Sequence, residues 1–195
     1  MVTGGDDGIG LKTVNVNVNA KRWSDVVRGI ETLTSLRVLV GIPEENAERD
    51  PEDGQGITNA AIGYINEWGL PEKNIPARPH LVPGLQKYEM EAIERLKKAA
   101  IAAVEGRPEA AIKQFNAIGL EAVSSVRAVI TAGIPPPPAP KTLAARRAMK
   151  IGKGKKKGFR GETPLIVTGD YIRHIAYVVV MKARRLVVTP KGRGG

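Results

Sequence analysis

The two histidines, His80 and His174, are the residues with the widest chemical repertoire in this sequence. A zinc site needs further ligands at close spacing, as in an HExxH motif, and neither histidine has a second histidine nearby. The sequence contains no cysteine, which excludes thiolate metal sites, cysteine nucleophiles and disulfides together. We therefore expect both histidines to be structural, and we predict no metal site.

Carboxylates are concentrated in residues 44–53, which contain Glu44, Glu45, Glu48, Asp50, Glu52 and Asp53. Paired carboxylates act as acid and base only where apolar surroundings raise one pKa, and this stretch is almost wholly polar. It is typical of a solvated acidic loop. The sequence also lacks the GxSxG and GxxxxGK[ST] motifs. A Ser/His/Asp triad needs no local motif and stays an alternative, but we expect no enzyme and no cofactor.

Cations dominate a glycine-rich insert at residues 141–163, which follows a proline spacer at 133–140. Lysine and arginine at such density can contact nucleic-acid phosphates. The alternatives are a solvated loop, or a loop that docks on an acidic neighbouring subunit. Only Phe159 is available for base stacking, so any DNA contact should be independent of sequence. The candidate contacts are Arg146, Arg147, Lys150, Lys153, Lys155, Lys156, Lys157 and Arg160.

The positive charge of the chain lies almost entirely in its last quarter. Residues 1–140 hold 15 Lys/Arg against 18 Asp/Glu, a net charge of −3. Residues 141–195 hold 15 Lys/Arg against 2 Asp/Glu, a net charge of +13. This asymmetry indicates a basic region that meets an acidic partner, either nucleic acid or a protein surface.

Length and composition predict one globular domain. The chain has 195 residues, of which 42% are hydrophobic and only 4% aromatic, so aliphatic side chains must form the core. The first ten residues are rich in glycine and aspartate and predict a flexible tail instead of a secretory signal. No apolar run is long enough to span a bilayer, so we expect no membrane partner. A single domain should then occupy residues 11–190.

The hydrophobic periodicity predicts the first half of the domain as a strand, a helix and a second strand. Period-two alternation predicts a strand at 11–20, and helical spacing predicts a helix at 22–33. LRVLVGIP at 36–43 predicts the second strand. TNAAIGYINEWG at 58–69 predicts a helix capped by Thr58 or Asn59. The proline-rich residues 70–85 predict an extended segment, because proline fixes φ and removes a donor.

Two long helices are predicted in the middle of the chain, at 86–106 and 108–131, separated by Gly106 and started again by Pro108. After the proline spacer and the basic insert, the C-terminal stretch predicts a turn, a short helix and two antiparallel strands. Thr168 or Asp170 should cap that short helix. The predicted fold class is therefore α+β, with a small antiparallel sheet from both ends of the chain packed against two long central helices.

Four sequence phrases in a fixed order resemble a known family. They are VGIP (40–43), ITNAAIGYINEWG (57–69), NIPARPHLVPGL (74–85) and TPLIVTGDYIRHIAYVV (163–179). Over about 36–180, the order is similar to the neck or tail-completion proteins of tailed bacteriophages, also grouped as virion-morphogenesis or minor tail-component proteins. In that family a helix ending in HEFG leads into IPARPFLRP, and LxxTGxLxxSI opens the last strands. This sequence departs from the family pattern at three places. Asn66-Glu67-Trp68-Gly69 replaces HEFG, and His80 stands where the family usually has an aromatic residue. Asp170-Tyr171 follows Thr168-Gly169 where any residue and a leucine are more common.

The resemblance implies a structural protein of the virion, made in the host cytoplasm and located at the head–tail junction. Such a protein forms a homo-oligomeric ring that joins the portal-side connector to the tail. Its partners are other neck and tail proteins, and duplex DNA passes through its lumen. A tail terminator that caps the tail tube is the alternative within the virion. A sequence-independent nucleic-acid-binding protein is the alternative outside it.

The IPARPH phrase is the predicted site of contact with a neighbouring subunit or partner. Two prolines make this segment stiff, so it loses little entropy when it docks. The alternative is a rigid crossover between helices in which Arg78 only satisfies carbonyls or an acidic neighbour. The predicted contact residues are Ile75, Pro76, Ala77, Arg78, Pro79 and His80.

Overall fold

The structure, a computed structural model, describes residues 20–43, 57–148, 162–166 and 169–181. Within these ranges the chain forms seven helices and two strands. In chain order they are α1 (Ala20–Ser35), β1 (Leu36–Gly41), α2 (Asn59–Trp68), α3 (Leu81–Lys87), α4 (Glu89–Val104), α5 (Pro108–Ala132), α6 (Pro140–Ala148), α7 (Asp170–His174) and β2 (Ala176–Met181). A 3-10 turn, Pro71–Lys73, lies between α2 and α3.

The two strands form an antiparallel sheet in which Leu36 pairs with Met181 and Gly41 with Ala176. Side chains alternate across a strand, so every second residue faces the helices. Leu36, Tyr177 and Val179 are buried on that face and belong to the main core. The predicted α+β class is confirmed, because a small antiparallel sheet packs against the long helices α4 and α5.

The 25-residue helix α5 forms the centre of the core. Pro108 occupies its first turn, where a missing N–H is harmless, and Gly133 at φ 89° ends it. Its buried side chains include Phe115, Val126 and Ile130. Helix α4 contributes Ala99, Ala102 and Ala103 to the core, and such small residues allow two helices to approach closely. These helices give the rest of the chain a rigid support.

The prediction of an extended segment over 70–85 is wrong at its C-terminal end. Residues 81–87 form α3, with Pro83 as the third helical residue. Proline is tolerated there because the first N–H groups of a helix have no partner within it. The helix predicted from residue 86 is also corrected, since the chain bends at Tyr88, between α3 and α4. The insert predicted at 141–163 begins as a helix, because α6 runs to Ala148.

The cap of α7 also differs from the prediction. Its N-cap is Gly169 in the left-handed region at φ 75°, instead of Thr168 or Asp170. By contrast, Thr58 caps α2 as predicted, since its side chain accepts a hydrogen bond from the Ala61 N–H. The tail at 1–10, the loop at 44–56, most of the basic insert and the last predicted strand lie outside the described residues. The strand predicted at 11–20 also lies outside them, except for Ala20, which begins α1 instead. No described helix has the length and apolarity to cross a membrane.

Candidate interaction site

The chain reverses direction immediately after α2, and this reversal positions the IPARPH segment. Gly69 adopts φ 79°, and a Cβ there would lie 2.9 Å from the Ala77 nitrogen. Only glycine fits that position without strain. Leu70 and Ile75 then form a short antiparallel bridge, with the Leu70 N–H donating to the Ile75 carbonyl at 2.8 Å. The segment therefore folds back against the C-terminal end of α2.

Glu67, buried on the last turn of α2, holds the start of α3. Its carboxylate accepts hydrogen bonds from three successive backbone N–H groups, those of His80 (2.8 Å), Leu81 (2.9 Å) and Val82 (3.0 Å). These donors belong to the N-terminus of a helix and would otherwise be unpaired. Burial by itself would raise the pKa of Glu67, but the three backbone N–H groups and His80 hold it below its usual value. The side chain is therefore an ionised helix cap.

His80 is 2% exposed and links Glu67 to α7. Its Nδ1 lies 2.9 Å from the Arg78 carbonyl oxygen and 3.1 Å from a Glu67 carboxylate oxygen. Both neighbours are acceptors, so Nδ1 carries the proton, and Nε2 accepts from the Tyr171 hydroxyl. Burial and the Glu67 charge raise the pKa of Tyr171, so this hydroxyl stays a donor. The expectation that His80 is structural fits these contacts, which place it beneath the surface.

Arg78 fastens the IPARPH segment to the proline spacer. Its Nε donates to the Pro136 carbonyl at 2.9 Å, and its Nη2 donates to the Pro137 carbonyl at 3.3 Å. Prolines have carbonyl acceptors but no N–H groups, so the hydrogen bonds that hold this spacer need donors from elsewhere in the chain. The Arg78 side chain supplies two of them. The arrangement matches the crossover alternative for Arg78, whereas Pro76 and Pro79 remain exposed beside it.

We expect Arg78→Lys to loosen the proline spacer while leaving the helical core intact. Lysine keeps the charge but cannot present two donors in a fixed fork, so at least one carbonyl contact is lost. The cost should be about 1 kcal/mol, with faster amide exchange at Leu143, whose N–H bonds the Ala139 carbonyl where α6 begins. Hydrogen-exchange mass spectrometry measures this. Arg107→Lys, at an exposed pair with Glu105, is the control, and equal exchange in both variants would contradict the role of Arg78.

Arg146 and Arg147 are the only predicted DNA contacts whose side chains the structure describes. The two side chains differ in burial and in hydrogen-bond partners. Arg147 is exposed and pairs with Glu162 at 3.0 Å. Arg146 is half-buried, and its Nη1 donates to the Thr163 carbonyl at 3.0 Å. Burial, followed by the charge of Arg78, lowers the pKa of Arg146. The fold thus brings Arg78 and Arg146 close together, although they lie far apart in the sequence. Lys150, Lys153, Lys155, Lys156, Lys157 and Arg160 lie outside the described residues.

Two apolar surfaces are exposed on different helices. The α2 face consists of Tyr64 and Trp68, one helical turn apart and 70% and 65% exposed. They border a cavity of about 220 Å³ whose lining includes Ile42, Leu81 and Ile175. Exposed apolar patches of this kind mark interaction surfaces.

The second surface, the α1–α4 face, follows a stripe of helix α1 toward a shallow groove against α4. Trp23, at 63% exposure, lies on the same stripe as Thr34, which lines the groove. The members of this face are Trp23, Val27 and Ile30 of α1 with Ile93 and Leu96 of α4. None of them belongs to the α2 face, so the residues that the structure describes include at least two unlike apolar surfaces.

A second polar cluster joins α4 and α5. Tyr88 and Arg95 both bond Glu121, and burial together with that carboxylate raises the pKa of Tyr88 to about 12. Within the described ranges, no group of three or more acidic, histidine or cysteine side chains could hold a metal ion. Both polar clusters therefore connect elements of the fold.

Comparisons with family models, curated proteins and solved structures give no match for this chain.

Proposed function

We propose that this chain is a structural, non-enzymatic subunit of a ring at the head–tail junction of a tailed bacteriophage, joining the portal-side connector to the tail. The observation that carries the ring is the pair of unlike apolar surfaces, the α2 face and the α1–α4 face. A closed ring of three or more copies requires heterologous contacts, in which one surface meets a different surface of the next copy. A two-fold dimer would need only one self-complementary surface.

The placement in a virion rests on the four sequence phrases and on what the structure makes of them. NEWG, IPARPH and TGDY meet in one site, through Glu67, His80 and Tyr171. Residues from three separate phrases thus form one hydrogen-bonded cluster that supports the crossover. Pro76, Ala77 and Pro79 of this crossover are exposed. A stiff exposed loop suits a contact repeated around a ring. A tail terminator would use the same features, and its position at the tail tube is the difference.

The alternative function is sequence-independent nucleic-acid binding, which the net charge of +13 over residues 141–195 favours. In the ring, this charge would guide duplex DNA through the lumen. The mass of the purified chain in solution, together with electron microscopy of intact virions, separates the two functions. A ring, or density at the head–tail junction, supports the proposal. A monomer absent from particles, with tight and steeply salt-dependent DNA binding, would favour the alternative.

We expect Trp68→Lys to dissociate the ring without unfolding the subunit. Trp68 is exposed at the last residue of α2, where a lysine suits the helix dipole, so the fold should tolerate the change. Buried tryptophans at interfaces contribute roughly 2 kcal/mol or more each, so the oligomers should dissociate at about thirtyfold higher concentration. Ala128→Lys introduces the same charge at an exposed position of α5 outside both faces. Similar ring stability in the two variants would contradict the role of the α2 face.

A further inference from the structure

Helix α2 and the residue before its cap present an exposed stripe that carries no charge. Glu67 is the only charged residue in the sequence of α2, and it is buried as the cap of α3. The exposed residues recur at intervals of four, three and four positions, the spacing of anchors in a helix that binds an apolar groove. This α2 stripe consists of Ile57, Ala61, Tyr64 and Trp68. Helix faces in contact with water normally carry charged residues, so we expect this side of α2 to contact another surface.

Helix α1 carries a stripe of the same spacing. Its exposed residues Trp23, Val27, Ile30 and Thr34 also follow one another at intervals of four, three and four positions. At 1.5 Å per helical residue, such a stripe is about 16 Å long. Two helices whose ridges repeat at three- and four-residue steps can pack together along such stripes.

A groove of about 510 Å³ lies where the α1 stripe ends, between α1 and α4. Clefts that hold ligands measure about 300–1,000 Å³, so this groove can take a bulky side chain. The buried ring of Phe115 forms part of its lining, and the small side chain of Ala100 leaves room beside it. Lys97 also lines the groove, and its exposed ion pair with Glu94 at 2.6 Å occupies one of three N–H donors. A cation there suits the negative C-terminal end of a docked helix, and Trp68 is the last residue of α2.

The α2 stripe does not fill the groove of its own chain. Trp68 is 65% exposed and Leu96, in the groove lining, is 42% exposed in the same molecule. We propose that α2 of one copy binds across the α1–α4 face of the next copy, with the Trp68 side chain in the groove. The proposal rests on the ring described above and names its head-to-tail contact as a helix bound in a groove.

The IPARPH segment enlarges this contact beyond the helix. Specific interfaces bury about 800 Å² on each partner, and a large aromatic side chain supplies about 150–250 Å². Ala77 lies against Gly69, directly after Trp68, so the exposed Pro76 and Pro79 continue the surface of the α2 stripe. The predicted contact segment and the aromatic pair thus belong to one docking surface.

Chemical cross-linking tests which surfaces meet. The chain contains no cysteine, so a short bismaleimide reacts only with introduced thiols. We expect Ala61→Cys and Val27→Cys, co-expressed as separate chains, to give linked dimers on a denaturing gel. A chain that carries both substitutions should give a ladder of linked copies that ends at the ring number. Ala128→Cys, outside both faces, replaces Ala61→Cys in the control, and equal linking in the two experiments would overturn the proposal.

The same thiols identify other occupants of the groove. Self-linking of Val27→Cys chains, without Ala61→Cys, would show a two-fold dimer through the α1–α4 face. In monomers of Trp68→Lys, we expect Val27→Cys to react with a maleimide as readily as Ala128→Cys does. A much slower reaction would show that other residues of the same chain cover this face. Either result would overturn the proposal.

A charged side chain in the groove gives a second, independent test. We expect Leu96→Lys to raise the concentration at which rings dissociate by at least about tenfold. Ile101→Lys is the matched control, an exposed apolar position of α4 outside the groove lining, and its rings should be as stable as those of the wild type. Native mass spectrometry measures both.

Mixing two defective chains shows the direction of the contact. Leu96→Lys retains the α2 stripe and Trp68→Lys retains the groove, so a mixture should form 1:1 dimers through the one contact that is still wild type. No dimers on mixing, or Leu96→Lys rings of wild-type strength, would overturn this contact while leaving the ring itself standing. A monomeric wild type would instead overturn the ring.

Discussion

Glu67→Ala is expected to lower the free energy of unfolding by roughly 3–5 kcal/mol, a large share of the total stability of a domain of this size. The substitution leaves three backbone N–H groups at the start of α3 without their acceptor, and it removes the carboxylate beside the ring of His80. Each unpaired buried donor costs about 1–3 kcal/mol, partly recovered where water enters. Urea denaturation at neutral pH measures the loss.

Glu67→Gln separates the charge of the cap from its shape. Glutamine retains one carbonyl acceptor for the α3 donors but brings its own N–H₂ toward them, so a loss of about 2–3 kcal/mol is expected. Glu91→Ala, an exposed carboxylate in the first turn of α4, is the matched control and should cost less than about 1 kcal/mol. Equal losses at positions 67 and 91 would refute the capping role.

The pH dependence of unfolding should show the same carboxylate. The pKa of Glu67 is lowered in the folded chain from its usual 4.5, so the folded state binds the proton more weakly than the unfolded state. Its contribution is therefore complete above about pH 4.5 and is lost as the pH falls through the lowered folded value. The wild type should lose stability in that acid range, and Glu67→Gln should lose less. Parallel pH profiles of the two proteins would contradict this assignment.

The sequence predicts the long elements because their signals are local. Pro108 and Gly133 mark the ends of α5, and Thr58 marks the start of α2, each within a few residues of the hydrophobic pattern. The sequence does not predict α3 because Pro83 and Gly84 are both unfavourable inside a helix. Its formation depends on Glu67, which supplies the cap from the preceding helix.

The polar site was out of reach of sequence reasoning because its members come from distant segments. His80 and Tyr171 are separated by 91 positions, and only the folded chain brings Nε2 to the hydroxyl. Arg78 and Arg146 likewise line the same cavity only because of where the proline spacer turns. One local signal was available for Glu67. It lies two helical turns after Asn59, so both residues share the face of α2 that is buried, whereas the neighbouring Trp68 is exposed. Charge composition alone assigns Arg146 to the predicted DNA contacts, and it gives no signal of the hydrogen bond from Arg146 to the Thr163 carbonyl.

A glycine in the middle of α5 shows how sheet and helix approach each other. A Cβ at Gly119 would lie 2.1 Å from Cδ2 of Tyr177, a buried side chain of β2. The ring therefore rests directly on the helix backbone, and its hydroxyl reaches Asn116 at 3.4 Å. Glycine is unfavourable inside a helix by about 1 kcal/mol relative to alanine, so close packing with the sheet must offset that cost.

Gly119→Ala is accordingly expected to destabilise the chain by roughly 2 kcal/mol, although alanine is the better helix former. The tyrosine ring cannot yield without displacing β2 from the core, and the pairing of Tyr177 with Val40 should weaken with it. The midpoint of urea denaturation measures the loss. Gly41→Ala is the control, because a Cβ there meets nothing within 4 Å, and its effect should stay within about 0.5 kcal/mol.

A double substitution decides whether the ring of Tyr177 is the cause. Tyr177→Leu alone should cost about 1–3 kcal/mol, because it removes buried aromatic area. In the presence of Tyr177→Leu, however, Gly119→Ala should cost little or even stabilise, since the space above the helix is then open. The coupling between the two changes should reach about 1–2 kcal/mol, as it does for residues in direct contact. Additive losses would mean that position 119 acts through the helix alone, and that the sheet is held to α5 by other side chains.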